Sequence, residues 1–500
     1  MFLLKKYKVQ ILLWLGILGS YFLSRLTNIM SLPLFTDEAI YTRWAQIAKQ
    51  DASWRFISLT DGKQPMLTWV AMILMRFFHD PLFATRMASV LAGFSSVIGI
   101  FFLSRELFKN KWIGFLSSAL FVVFPFTLVY DRMALQESLV CAFLIWALYV
   151  QILLVRRLQS FMPFVAGLVV GGGVLTKTTN FWSIYFMPFL LLLFDWKKDD
   201  RWGRLLRFVF FAGITTVLAY MYYSILRLSP YFGIIAEKNY TFYYSLHDWL
   251  QHPITFFLGN LHGMLSWLIT YVNWLGLLLA LVSFFVYRKF WKEKLLLVLW
   301  FVVPFLIFAL IGKVLYPRYI IYMTIFLIPL IAVSLYEAFH ITLGPKNLFG
   351  FVFIVLLFSS YLFVDRFVLF DFAHAPIPGS DLNQYINDWP AGGGVKEMVS
   401  FLSDQSKKGK LYVASEGTFG SVPTLAIEIY LDSDKNIGKR GIWPLPKVFP
   451  NDLLEKAKTM PVYYVFNQTQ TPPSNFPLKF IAKWQKGISS IYMSIYQVTL

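Results

Sequence analysis

The 500-residue chain is 57% hydrophobic and 19% aromatic but only 14% charged, with a mean hydropathy of +0.59. Average chains carry about 25% charged residues, so an ordinary soluble enzyme, a disordered chain, a collagen and a nucleic-acid-binding protein are all excluded. Residues 367–500 hold 13 basic and 11 acidic residues, so +16 of the net +18 belongs to the apolar part, where the positive-inside rule puts it. The lone Cys141 lies in an apolar run, which leaves neither a disulfide framework nor a thiolate metal site.

A membrane span needs ~20 apolar residues to cross a ~30 Å core. Runs that meet or approach this length lie near 9–27, 83–104, 112–130, 133–155, 161–176, 180–194, 205–226, 267–287, 295–312, 319–338 and 348–366, which predicts eleven spans. The 161–176 and 180–194 runs are short enough to form a helical hairpin that does not fully cross. Lys5, Lys6 and Lys8 precede the first run and place the N-terminus inside. That run reads as a signal anchor that is not removed, because no small-residue cleavage site follows it. Alternation then gathers Arg105/Lys109/Lys111, Arg156/Arg157, Lys197/Lys198/Arg201/Arg204/Arg207 and Arg288/Lys289/Lys292/Lys294 on the same inner side. The scheme requires that Pro65–Phe78 not span. Its 14 residues reach ~21 Å as a helix, and it is expected to lie along the outer interface.

The first outer segment, 28–82, contains DEAIYTRWAQIAKQ. Ile40, Trp44 and Ile47 recur there at helical spacing beside Tyr41 and Ala48, with Arg43, Gln46 and Lys49 on the other side. This predicts an amphipathic interfacial helix with Asp37 and Glu38 in its first turn. A second outer segment, 227–266, is rich in Tyr, Phe and Trp and carries His247, His252 and His262. Beyond residue 366 the composition turns polar. KLYVASE, PVYYVFN, LKFIAKW and SSIYMSIYQVTL read as strands, and VKEMVSFLSDQSKK, TFGSVPTLAIEIYL and NDLLEKAKT as helices. The chain is therefore expected to be a polytopic α-helical membrane protein over 1–366, multi-pass in the plasma (inner) membrane, with outer interfacial helices and an extracytoplasmic α/β domain over 367–500. Gly392-Gly393-Gly394 could start a helix near an anion, but G-x-G-x-x-G and Walker motifs are absent.

Ionisable groups near the membrane core are costly, so those at the outer boundary carry the information. Asp37 and Glu38 read either as acids at a helix's positive end or as a general base held at fixed depth. Lys63 precedes the Pro65 helix. Arg86, Asp131-Arg132 with Glu137, Lys177, and Lys313 with Arg318 stand at outer span ends. Taken singly, each is also what a snorkelling anchor looks like; as a set they resemble a ring of phosphate ligands. Arg132 and Glu137 could instead pair with each other. The three histidines are spaced by five and ten residues and put no two on one helical face. No metal ligands are assigned, and a divalent metal is the weaker alternative.

LFTDEAIYTRWA, GKQPMLTW and ATRMASVLAG, in that order, resemble the GT-C membrane glycosyltransferases. The nearest group is family-39-like, which includes protein O-mannosyltransferases and the bacterial lipid A aminoarabinose transferase. YDRMALQESLV resembles that family's R-x-x-x-x-D element with Glu137 in place of Asp, VLTKTTNFW its L-T-K-G turn with Thr178 in place of Gly, and YPRYIIYMTIFLIPLIA its R-Y span. The resemblance runs over about residues 10–340. It implies a GT-C-like fold and an inverting transfer of a sugar from a polyprenyl-phosphate donor to a protein, glycan or lipid acceptor at the outer face. Asp37 would be the base and Glu38 its orienting partner or understudy. Lys63, Arg43, Arg132, Lys177 and Arg318 would bind the donor phosphate, supported by Tyr41, Arg86, Glu137 and Lys313. The aminoarabinose enzyme has Arg three residues after its first acid, where this chain has Ile40; Arg43, one turn on, is the candidate replacement. The partners so implied are membrane lipid, the lipid-linked sugar and the acceptor, with no nucleic acid. A flippase or transporter that binds the same phosphate without chemistry is the alternative, although transporters usually show internal repeats and broken mid-membrane helices.

Overall fold

The computed structural model describes residues 2–286, 288–340, 348–467 and 471–500, with side chains from residue 8 and, in the last long helix, from residue 350. Lys5 and Lys6 of the expected inner cluster thus lie outside the described side chains.

Among the described residues, eight helices are long and apolar enough to cross a membrane: Lys8–Ser31, Pro81–Phe108, Glu137–Arg157, Arg201–Leu228, Phe257–Val286, Arg288–Ile311, Ile321–His340 and Gly350–Phe370. Lys111–Val123 and Pro125–Asp131 would make a ninth, bent by 61°. Pro125 opens the second piece, and its missing N–H and bulky ring break the ladder there. Nine of the eleven expected spans correspond to these helices, the bent pair counted as one. The other two are the arms of a hairpin, Met162–Val174 followed by 178–193, shorter than the rest although the tip between them reaches the Glu137 end. These two arms return the chain to the end it left, so the alternation of the later helices is unchanged. The hairpin packs on Arg201–Ser224 through glycine: a Cβ on Gly171 would lie 2.3 Å from the Tyr222 ring, the close approach that small residues permit between membrane helices.

The helix Glu137–Arg157 marks the two ends of the bundle. At one end Arg156 bridges Glu106 (2.8 Å) and Glu293 (2.7 Å), joining three segments expected inside. At the other, Lys177 at the hairpin tip meets Glu137 at 2.8 Å.

The C-terminal part is an α/β domain with one five-stranded sheet, ordered β2-β1-β3-β5-β4. β1 (Leu411–Glu416) runs parallel to β2 (Ile437–Ile442) and β3 (Val462–Phe466). β5 (Tyr492–Val498) pairs antiparallel with β3 and with β4 (Leu478–Gln485). Strand β2, IGKRGI, was not expected, since Gly and paired basic residues hide its edge position. The helix expected from Thr418 begins only at Val422, with Pro423 in its first turn. The last span runs on to Phe370, past the expected boundary at 366.

The helix Thr36–Gln50 buries Ile40, Tyr41, Trp44 and Ala48 as its periodicity predicts, with Ala45 beside them and Ile47 only partly covered. Its polar side is not left in the interface, however. Arg43 pairs with Glu428 (3.2 Å) and Asp432 (2.8 Å), and Gln46 donates to the Ile429 carbonyl at 2.9 Å. The helix is thus clamped between bundle and C-terminal domain. Its first turn is fixed by Thr36, whose backbone N–H and hydroxyl both donate to the Pro390 carbonyl at 3.0 Å. Buried Lys486 in turn holds that loop through the Trp389 (3.0 Å) and Ala391 (2.6 Å) carbonyls. A second peg is Asp381, fully buried, which accepts from Tyr130 at 2.9 Å and Tyr271 at 2.5 Å.

Burial pushes the Asp381 carboxyl up to about 7, against the opposing pull of the two tyrosine hydroxyls and Arg318. The folded state therefore holds this proton more tightly than the unfolded chain, and stability falls as pH rises from about 4 to about 7. The melting temperature of the purified protein should drop between pH 5 and 7.5, and Asp381→Asn should make that drop smaller.

Candidate active site

The Glu137 end of the bundle encloses a cavity of about 470 Å³. Its charged lining consists of Lys63, Lys177, Lys238 and Arg318 against Asp37, Asp61 and Glu137, a surplus of one positive charge. Asp37 is central. Lys63 Nζ lies 3.0 Å from its Oδ1, and Arg318 Nη1 lies 2.8 Å from its Oδ2. Burial would raise the Asp37 pKa, but Lys63 and Arg318 outweigh it and hold the carboxyl well below its usual value. Burial acts to lower the Lys63 pKa, and Asp37 with Asp61 reverses that and raises it.

The cations are boxed by aromatic faces. Arg318 lies over Phe35, Tyr316 and Tyr319 at 5.3–5.5 Å, and Lys63 over Tyr41 (5.1 Å) and Trp44 (5.7 Å). Such contacts strengthen when desolvated. The buried Arg318 Nε has no hydrogen-bond partner among the described residues, so the guanidinium retains donor capacity beside the cavity. Lys177 carries its own carboxylate, Glu137, and lies over Tyr319. The alternative, an Arg132–Glu137 pair, does not form, since Glu137 is held by Lys177.

Of the residues singled out from sequence, Asp37, Tyr41, Lys63, Glu137, Lys177 and Arg318 line the cavity. Five do not. Glu38 is completely buried and forms a two-pronged pair with Arg86, at 2.8 and 2.7 Å. It also accepts from the Ala134 N–H at 2.7 Å and the Phe35 N–H at 3.1 Å. Its lone pairs are committed to anchoring the helix, so it is no understudy base, and Arg86 is its structural counter-ion. Arg43 points into the C-terminal domain and is no phosphate ligand. Arg132 is fully buried, with no hydrogen-bond partner for any guanidinium nitrogen among the described residues. Burial, with Arg86 and Arg25 nearby, lowers its pKa to about 9. Lys313 contacts the Tyr240 carbonyl at 3.2 Å and Asp248 at 3.9 Å. Among the described residues, no three metal-ligating side chains converge.

Sequence reasoning missed Asp61, Lys238 and Phe419. Asp61 stands two residues before Lys63 and draws Lys238 from the second outer segment to 2.5 Å. The D-G-K spacing was the available signal. Phe419 comes from the C-terminal domain, and no local pattern connects it to a membrane cavity.

Comparison with known proteins agrees with this architecture. Residues 62–223 match the family described as dolichyl-phosphate-mannose-protein mannosyltransferase. The undecaprenyl phosphate-alpha-4-amino-4-deoxy-L-arabinose arabinosyl transferase 2 of Proteus mirabilis is 27% identical over 307 residues, 56% of this chain and 52% of that protein. The corresponding transferase of Photorhabdus laumondii is 28% identical over 312 residues, with the same coverage of 56% and 52%. The chain spans about half the length of these curated relatives. Among solved structures, ArnT from Cupriavidus metallidurans bound to undecaprenyl phosphate superposes with a TM-score of 0.61 at 13% identity, covering 98% of each chain. The archaeal oligosaccharyltransferase AglB from Archaeoglobus fulgidus, in complex with an inhibitory peptide and a dolichol-phosphate, gives 0.56 at 12% identity, covering 93% of this chain and 70% of that one. The fold is that of the GT-C membrane proteins. Within that class the chain resembles the O-mannosyltransferases and the aminoarabinose transferases.

Breaking a buried ion pair from one side typically costs about 3–5 kcal/mol. Glu38→Gln should therefore lower the melting temperature sharply or abolish a monodisperse protein on size exclusion. Lys177→Ala, whose ammonium is a quarter exposed and whose partner Glu137 borders the cavity, should lower the melting temperature less.

Proposed function

We propose that the chain is an inverting glycosyltransferase that moves a sugar from a polyprenyl-phosphate carrier to a hydroxyl of a protein, glycan or lipid acceptor. The observation that carries this reading is Asp37 held between Lys63 and Arg318 in a cavity with one surplus positive charge. A phosphodiester donor brings one negative charge and would neutralise the site. Names among the relatives point to undecaprenyl or dolichyl carriers and to mannose or 4-amino-4-deoxy-arabinose as donor sugars. The membrane part over 1–366 would carry the reaction at the outer face of the plasma (inner) membrane, with the N-terminus cytoplasmic and the 367–500 domain extracytoplasmic. The basic segments that Arg156 ties together at the far end of the bundle support that orientation.

The donor phosphate competes with Asp37 for Lys63 and Arg318. Once it draws on those cations, the carboxylate loses what keeps it weakly basic and its pKa rises. Asp37 then takes the proton of the acceptor hydroxyl as that oxygen attacks the anomeric carbon from the face opposite the phosphate. The anomeric C–O bond breaks, its electron pair stays on the phosphate oxygen, and configuration inverts. Phosphate is a good leaving group without protonation, so one carboxylate suffices. Lys63 and Arg318 stabilise the charge that builds on the departing oxygens.

The assay is release of undecaprenyl phosphate from radiolabelled undecaprenyl-phospho-sugars by protein in nanodiscs supplied with membrane extract as acceptor source. Asp37→Asn should lower release by about 10²–10⁴-fold while binding undecaprenyl phosphate at least as tightly as wild type, because a competing anion is gone. Arg318→Ala and Lys63→Ala should weaken that binding about 10- to 100-fold. Full release by Asp37→Asn would refute the assignment.

A further inference from the structure

We propose that Phe419, carried into the cavity by the C-terminal domain, is the platform on which the donor's sugar ring stacks, so that this domain selects the sugar. The proposal rests on the phospho-sugar reading above and deepens it.

Phe419 and Gly420 line the same cavity as Asp37, Lys63 and Arg318. The Phe419 ring is 58% exposed. Comparably exposed Phe210 and Phe285 lie on spanning helices, where lipid covers them, but Phe419 faces a cavity walled by charge. One of its faces rests on Trp44, with ring centroids 5.9 Å apart and planes 24° from parallel. Trp44 is only 1% exposed and lies 5.7 Å from Lys63 Nζ. The Phe419 ring is thus one ring removed from the proposed phosphate cation, and the sugar is bonded directly to that phosphate.

The loop that presents Phe419 is built to hold its shape. Gly417 has φ +91°, and a Cβ there would meet Ser421 Oγ at 2.5 Å. Its N–H donates to the Ile442 carbonyl at 2.8 Å, and its carbonyl accepts from Thr424 Oγ1 at 3.0 Å. Ser421 Oγ donates to the Glu416 carbonyl at 2.7 Å, and Gly420 has φ +86°. Within the loop Gly417 is buried, while Thr418 and Phe419 are exposed. The loop leaves the carboxyl end of β1, the strand flanked by parallel β2 and β3, and open α/β sheets bind ligands outside such strand ends. Gln64, Gln136, Thr178, Thr179 and Asn239 line the cavity as well. A sugar ring has an apolar C–H face and a rim of hydroxyls, which matches an aromatic face combined with a hydrogen-bonding wall.

The test is direct binding in nanodiscs of undecaprenyl phosphate and of undecaprenyl-phospho-mannose, -glucose and -4-amino-4-deoxy-arabinose. In the wild type at least one sugar conjugate should bind more tightly than undecaprenyl phosphate. Phe419→Ala should cut that conjugate's affinity about tenfold, leave undecaprenyl phosphate within about twofold, and be rescued by Phe419→Trp but not by Phe419→Leu. Equal loss for both ligands would overturn the proposal and make Phe419 a prop for Trp44. No loss, or no gain from any sugar in the wild type, would overturn it too. Failure of the wild type to bind undecaprenyl phosphate would instead overturn the donor reading of the Asp37 site, and this proposal with it.

Discussion

A single carboxylate shared by two cations organises the site. Asp37 draws Lys63 from the loop before the short helix Met66–Leu74 and Arg318 from the turn before the Ile321–His340 span. Without that anion the two cations would face each other across a partly buried cavity, a repulsion that desolvation magnifies. In the proposed reaction the same carboxylate is reserved until a phosphate arrives to take its place. Substrate binding and activation of the base then become one event, and a donor-free site holds only a weak base.

Two deeper constraints hold Asp37 where this exchange can happen. From the bundle side, the buried Glu38–Arg86 pair fixes the first turn of the helix against the loop at Ala134. From the other side, the C-terminal domain grips the same turn through Thr36 and Pro390, and the helix's polar face through Arg43 and Gln46. Adjacent acids in one sequence thus have opposite tasks. One is sealed and fully satisfied, and the other is left partly open to the cavity. The C-terminal domain is a working part of the site, since it positions the helix that carries Asp37 and supplies part of the cavity wall.

Elements governed by local periodicity were legible in the sequence. The Thr36–Gln50 helix, the long spans and four of five strands follow from spacing and composition, because lipid and core impose the same pattern on every turn. The cavity residues Asp37, Lys63, Lys177 and Arg318 were legible because charge at a membrane boundary is rare enough to stand out. What could not be read was which charge pairs with which. Arg43 looked like a phosphate ligand on a solvent-facing stripe until Glu428 and Asp432, nearly 400 residues away, met it. Glu38 and Asp37 are chemically alike, and only the three-dimensional position of Arg86 separates their roles. The hairpin arms 161–176 and 180–194 were read as apolar, but hydropathy does not state whether a short segment completes a crossing.

The most direct measurement is an experimental structure, in a lipid nanodisc, of the chain with undecaprenyl phosphate bound. The account predicts the phosphate lodged between Lys63 and Arg318, with the Arg318–Asp37 contact of 2.8 Å lengthened and the Asp37 carboxylate facing the space next to the phosphate. A phosphate seated elsewhere, with Asp37 still closed on both cations, would contradict it.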